Sequence, residues 1–294
     1  MSMANIFIKY IVRPVLRVSS RYFPEVSAKL AQQIYTKPEK IRPLSAKEQS
    51  LFAKARQEKM DFRGEVLPIW HWGEENKPTV LLSHGWGVGP AIFMHTITRL
   101  LEQGFHVVTY LHPAHTNTGV HRTTAMTLVH AYVAVMQSLG KVYATLGHSL
   151  GAGVAISAAR TGVVPERLVL ISPVSDLVEN TDNFGKMLGF SAAVIQAMRD
   201  RVWQQYLQDC ASIADSWDDL FKVIVQQPAL FVHDKSDPIL NPQHSQNLAQ
   251  DWPNSRLLIT DGLGHFRTVR DSAVNNEVIS FLRQDMHINQ EDVA

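Results

Sequence analysis

Residues 141–153, Lys-Val-Tyr-Ala-Thr-Leu-Gly-His-Ser-Leu-Gly-Ala-Gly, constrain this chain more than any other stretch. Residues 142–146 read as a short buried strand, and Leu150 to Arg160 as a helix rich in Gly, Ala and Ser. At their joint stands Gly147-His148-Ser149-Leu150-Gly151, a G-x-S-x-G pattern. So tight a turn leaves no room for side chains at its glycines. It pushes Ser149 outward beside a helix N-terminus, where developing negative charge is favoured. Gly is 16 of 294 residues, so a chance match is expected only about 0.06 times in this chain. A Gly-rich helix entry with a capping Ser is the bland alternative. The strand before and the helix after argue against it.

A serine hydroxyl at neutral pH needs a base to take its proton and a third group to orient that base. Phe231-Val232-His233-Asp234-Lys235-Ser236-Asp237-Pro238 ends an apolar run. Asp237, past the strand end and next to Pro238, is the better acidic partner, with Asp234 its rival. Gly262-Leu263-Gly264-His265-Phe266 follows the next strand. Its glycines suggest an uncluttered, flexible loop from which His265 can face Ser149. One histidine among 13 means little. The chain order Ser149, Asp237, His265, each after a successive strand, means more. Attack on a carbonyl also needs donors for the oxyanion. The Leu150 amide follows the serine, and Trp86 in His84-Gly85-Trp86-Gly87 sits after the strand at 79–83. Trp86 as a merely packed aromatic is the weaker reading. Trp86, His148 and Phe190 are the residues expected to line the substrate pocket.

From Phe62 the chain alternates strand and helix. Strands are expected at 63–72, 79–83, 105–111, 167–172, 228–233 and 256–260. Helices are expected at 91–103, 123–139, 242–252 and 271–284. Apolar runs separated by helices imply an α/β fold, a mostly parallel sheet covered on both faces. Residues 62–285 make this domain, and 174–227 interrupt the alternation with apolar residues at helical spacing, which reads as a cap over the site. Residues 286–294 are a tail. Residues 1–61 read as a helical extension, with a capping box at Ser45 and Glu48 opening a helix to about Met60.

Phe7, Ile11, Val15, Val18 and Tyr22 make an apolar stripe, with Lys9, Arg13, Arg17 and Arg21 opposite it. Such a segment either lies on anionic lipid or docks its stripe on the body or on a second copy. Pro14 is expected to break the helix near its middle, which favours the docked arm. The basic residues leave no uncharged run for a signal peptide or membrane span. A net charge of +1 gives no footprint for nucleic acid. The single cysteine, Cys210, permits no disulfide within the chain and points to a reducing compartment, hence a cytoplasmic protein whose one membrane contact would be peripheral, through residues 1–23. Cys210 lacks the Gly-rich turn expected around a catalytic thiol.

Together His84-Gly85-Trp86-Gly87, Gly147-His148-Ser149-Leu150-Gly151, Asp237-Pro238 and Gly262-Leu263-Gly264-His265 resemble the α/β-hydrolase superfamily. The resemblance covers about residues 62–285. It is nearest to bacterial members that carry a helical N-terminal extension, a Thr-x-Pro like Thr36-Lys37-Pro38 and an Arg after the histidine like Arg267. It implies Ser149 as nucleophile, Asp237 as orienting acid and His265 as base. It also implies the Trp86 and Leu150 amides as oxyanion hole, with no metal or organic cofactor. The implied activity is hydrolysis of a carboxylic ester with an apolar part, through an acyl-enzyme. Thioester, amide, lactone and carbon–carbon hydrolysis use the same triad. A non-enzymatic ligand binder is the reading from a different class; a missing triad member would have favoured it. One departure stands out. Relatives carry Asp-x-Pro-x-His-Gly-x-Ser where this chain has Leu111-His112-Pro113-Ala114-His115-Thr116-Asn117-Thr118. His112, His115 and His121 lack nearby carboxylate or Cys partners, so a plain polar loop is a better reading of them than a metal site.

Overall fold

The computed structural model describes residues 8–284, apart from 117–119, 210–213, 215, 218, 222 and 224. Eight strands form one sheet: β1 (Arg56–Phe62), β2 (Glu65–Trp72), β3 (Thr79–Ser83), β4 (His106–Tyr110), β5 (Ala144–His148), β6 (Arg167–Ile171), β7 (Ala229–Asp234) and β8 (Ser255–Thr260). Their order is β1-β2-β4-β3-β5-β6-β7-β8. The β1–β2 and β2–β4 pairs are antiparallel, and every later pair is parallel.

The central strands are buried throughout, so alternate residues feed two separate cores. Leu81, Val108, Leu168, Leu170 and Phe231 pack on one face with helices α5 (Ala125–Leu139) and α6 (Leu150–Ala158). Val80, Leu82, Leu146, Val169 and Val232 pack on the other with α3 (Ala46–Phe52), α4 (Met94–Glu102) and α11 (Ser272–Arg283). α9 (Pro242–Asp251) and the one-turn α10 (Gly264–Arg267) flank β8 in sequence.

β1 corrects the expectation of a helix to Met60 and of an all-helical stretch to 61. The helix stops at Phe52, and Arg56–Phe62 is a strand. It is an edge strand paired only with β2 and largely exposed, so it carries none of the apolar alternation that marks a half-buried strand. The 63–72 strand is correspondingly shorter, because Arg63 and Gly64 form the hairpin turn with positive φ.

The N-terminal arm is α1 (Arg13–Tyr22) and α2 (Pro24–Tyr35), preceded by a π-helical turn at Ile8–Val12. Pro14 lies in the first turn of α1, where a missing N–H costs nothing, so it does not break the stripe. The arm does dock, but not by its stripe. Leu16, Ala28 and Ala31 pack with Leu188, Phe190, Val194, Ile195 and Met198 of α7 (Leu177–Leu188) and α8 (Ala192–Asp209) and the turn between them. Ile11, Val15, Val18 and Tyr22 face outward. Arm and insertion therefore share a third apolar cluster above the sheet. Phe7, Cys210 and residues 286–294 lie outside the described residues.

Candidate active site

The strand order places the site. The chain leaves β3 for β4 on one side and returns with β5 on the other. The crevice between the carboxyl ends of β3 and β5 is thus a topological switch point, where open α/β sheets bind ligands. Trp86 follows β3 by three residues, and Ser149 directly follows β5.

Ser149 has φ 57° and ψ −123°, a left-handed conformation that costs a non-glycine residue about 1–3 kcal/mol and must be held. Four bonds hold it. Its N–H donates to Ile171 O at 2.9 Å, and its carbonyl accepts from Ala152 N at 3.1 Å and from Gly153 N and Val174 N at 3.2 Å. The two glycines are there for close approach. A Cβ on Gly147 would lie 2.5 Å from the Ala152 Cα, and one on Gly151 would lie 2.1 Å from the Ser83 carbonyl oxygen.

His265 donates from Nδ1 to Asp237 Oδ2 at 2.7 Å, with both side chains out of solvent. That bond leaves Nε2 bare in the neutral ring. Asp237 is fully committed. Oδ1 accepts from the Ile239 and Leu240 amides at 2.8 and 3.0 Å, and Oδ2 lies 3.3 Å from Nε2 of buried His233. Nε2 of His233 faces only acceptors, Asp237 and Leu240 O, so it carries the proton and Nδ1 accepts from Ser245 Oγ at 2.6 Å. Burial alone would raise the Asp237 carboxyl. Hydrogen bonds from His233 and His265 outweigh it and hold the group well below the usual carboxylate range.

Asp234 does different work. Its oxygens accept from Ser236 N, Leu263 N and Gly264 N at 2.9 Å each and from Thr260 Oγ1 at 2.7 Å. It ties the histidine segment to β7. Arg267 closes the same segment by donating Nε to Leu263 O at 2.9 Å and its guanidinium to Gly262 O. The expected flexible loop is instead the helical turn α10, with His265 buried in it. His148 braces this turn by donating Nε2–H to the His265 carbonyl at 3.0 Å. Burial, with His265 beside it, pushes His148 down to about 3.

The 111–116 loop is buried, not plain and polar. His112 donates Nε2–H to His84 O at 2.9 Å, and its own amide donates to His84 Nε2 at 3.1 Å. His115 donates Nδ1–H to Pro113 O at 3.0 Å, and its Nε2 accepts from the Gly87 amide at 3.1 Å. Buried Glu65 takes the Ala114 amide at 3.1 Å and the Thr116 hydroxyl. Loop 84–87 is thus pinned on its far side by neutral histidines. Burial pushes His112 down to about 3 and His115 down to about 4. His121 is exposed. The clusters close enough to share an ion among the described residues are His71–Glu75–His106 and Asp176–Glu179–His244, and none of these three histidines belongs to either.

Ser149, Leu150, His265, His148 and Trp86 border one cavity of about 730 Å³, of small-molecule size. Phe190 does not. It is buried among Leu16, Leu188 and Val194 in the roof cluster. Phe184, Met187 and Tyr206 supply the apolar wall that the insertion was expected to give. Sequence reasoning also missed the arm's contribution: Ile34, Tyr35 and Thr36 line the cavity. Tyr35 donates to Asn180 Oδ1 at 2.9 Å and packs edge-on against Phe184 at 5.2 Å. His233 and Glu65 were missed as well; the only signal was a charged or titratable residue within an apolar strand run.

The architecture is found in solved structures of low identity, which share its fold. An esterase from Pyrococcus furiosus matches with a TM-score of 0.63 at 17% identity, over 85% of this chain and 97% of that one. A thioesterase domain from the curacin biosynthetic pathway matches with a TM-score of 0.55 at 15% identity, over 78% and 99%. A bacterial membrane phospholipase A matches with a TM-score of 0.58 at 16% identity, over 96% and 100%. No curated protein sequence matches. Residues 80–277 match the family model described as the alpha/beta hydrolase family, and with that match over most of its length the chain belongs to this family.

Proposed function

We propose that the protein is a serine hydrolase that cleaves a carboxylic ester with a hydrophobic acyl or alcohol part. One observation carries the reading: Ser149 on its strained turn and His265 bonded to Asp237 border the same largely apolar cavity. His265 Nε2 takes the Ser149 proton as Oγ attacks the ester carbon. The Trp86 and Leu150 amides receive the oxyanion. His265 then returns the proton to the leaving alcohol, and water repeats the cycle on the acyl-enzyme. Asp237 stays ionised and stabilises the imidazolium. The Pyrococcus esterase and the phospholipase A, by their names, act on esters, which supports this bond type. Thioester cleavage is the second reading, favoured by the likeness to the thioesterase domain. A single cysteine supports a reducing compartment, and no described helix is long and apolar enough to cross a membrane.

A fluorophosphonate probe tests the assignment, its phosphoryl oxygen standing in for the oxyanion. It should label Ser149 with one-to-one stoichiometry and block turnover of acyl esters of graded chain length. Ser149→Ala should abolish labelling. Folded protein that neither reacts with the probe nor cleaves any ester or thioester would point to a ligand-binding role instead.

A further inference from the structure

The N-terminal arm turns its most apolar face away from the protein. Ile11, Val15, Val18 and Tyr22 are between 54% and 66% exposed, while Leu16 and Ser20 are buried. At about 100° per residue the four exposed side chains fall within roughly 60° of arc, nearly opposite the docked face. Val26, Leu30 and Ile34 repeat the pattern on α2, with Ala28 and Ala31 buried behind them. Exposed apolar surface of this extent is uncommon on a monomer and marks a binding face.

Two observations say what covers it. The first is charge. Arg17, Arg21 and Lys29 stand exposed on the arm, and Lys37 and Lys40 on the segment that follows it; none of the five enters an ion pair among the described residues. The arm's Glu25 is paired with Arg201 at 2.6 Å, which leaves exposed Glu39 as the one acid set against these five cations. The face is therefore apolar with a cationic margin, which suits an anionic lipid surface. The second is continuity with the site. Ile34 and Met187 are exposed and also line the cavity, and Ile239 and Phe266 do the same from the far rim. The apolar face thus runs along α2 into the cavity mouth.

We propose that the outer faces of α1 and α2 dock on an anionic lipid bilayer and set the cavity mouth against it, so that the ester cleaved belongs to a membrane lipid. Docking stands on the face itself; the lipid-ester clause rests on the hydrolase reading above. The arm lies in the interface with its side chains among headgroups and upper acyl segments, and an acyl chain enters past Ile34 and Met187.

The test is flotation of the full chain with vesicles of phosphatidylcholine alone or mixed with phosphatidylglycerol, at low and high salt. Wild type should float with the mixed vesicles and be partly released by salt. Val15→Glu with Val18→Glu should cut vesicle partitioning by at least about tenfold. These side chains are solvent-exposed, so circular dichroism should show an unchanged fold. Arg17→Gln with Arg21→Gln should weaken binding and remove much of its salt dependence. In turnover, the valine pair should lose activity on a long-chain ester in vesicles and keep it on a short soluble ester. Wild type that fails to float, or glutamate variants that float equally well, would overturn the docking. A wild-type dimer in sedimentation that the glutamates convert to monomer would assign the face to a second copy and likewise overturn it. Vesicle binding without turnover of any ester would leave docking standing and remove the lipid-ester clause.

Discussion

Acid should unfold this protein well before its carboxylates titrate. His148 and His112 are pushed down to about 3 and His115 to about 4, burial being the main cause for each. In the unfolded chain each returns to about 6.5. These are bases whose folded values are depressed. Their contribution is complete above pH 6.5 and is lost as pH falls from there towards 3–4. At pH 5 the unfolded chain holds nearly three protons that the fold refuses. Between pH 7 and 5 each histidine then costs about 1.9 kcal/mol, and the three together about 5–6 kcal/mol. That is comparable to the whole stability of a marginal domain, about 5–15 kcal/mol. His84, His71 and His106 are lowered too and add in the same direction. The paired carboxylates act in a lower window. Glu48, held at about 2 chiefly by its bond from Arg42, and Asp237 both lose their contribution only as pH falls through and below about 4.

Urea unfolding followed by circular dichroism at pH 7, 6 and 5 measures this. His112→Gln keeps a donor near His84 O but cannot take the proton, so it should reduce the loss between pH 7 and 5 by about 1.9 kcal/mol. Stability that is flat over this range, or a loss that His112→Gln leaves unchanged, would refute the argument that these rings are buried in neutral form.

Three further outcomes follow from the site. Asp237→Asn should lower kcat by about 10⁴-fold in a folded protein, because the amide cannot hold the same His265 tautomer; Asp234→Asn should cost about 1–3 kcal/mol in urea unfolding, because it leaves a four-donor clamp mismatched, with a much smaller loss in kcat. His233→Leu should reduce kcat about tenfold at nearly constant KM, the worth of one hydrogen bond to Asp237, and His233→Gln should recover part of it in steady-state kinetics. Phe190→Ala should cost about 3–5 kcal/mol of stability without moving KM for long-chain esters, whereas Phe184→Ala should raise that KM.

How far the fold was legible depended on burial. β3 to β8 are buried, or lie against buried neighbours, and their apolar runs announce them. Gly140 with φ 72° closes α5 at the end of the helix expected over 123–139. β1 failed because an exposed edge strand obeys no hydrophobic period, and Arg-Gln-Glu-Lys-Met-Asp-Phe reads as solvated helix. α10 failed because a single turn is too short to show periodicity, and its glycines pointed to a loop. The arm's stripe was visible, but periodicity gives a direction only relative to the helix axis. It cannot say whether the apolar side meets protein or water, and here Leu16 and the small residues Ser20, Ala28 and Ala31 made the closer packing.

The candidate site was legible where the proposed chemistry forces residue type and position together, and illegible where it forces only a partner. The turn at Ser149 needs its glycines because backbone would lie within 3 Å of any Cβ they carried, so they are visible in the sequence. His265 and Asp237 follow strands whose ends converge, so chain order is informative. The groups that hold these residues are under no such rule. A donor to Asp237 can come from any nearby side chain, and here it is His233, the penultimate residue of β7 and four residues back in sequence. The departure at Leu111 makes the same point. Where relatives place an Asp and a Gly in the loop, this chain uses buried Glu65 from β2 and the ring nitrogens of His112 and His115 to fix the backbone. Glu65, about 50 positions away in sequence, ties this loop, and the loop in turn holds the Gly87 amide through His115, next to the Trp86 amide proposed as an oxyanion donor.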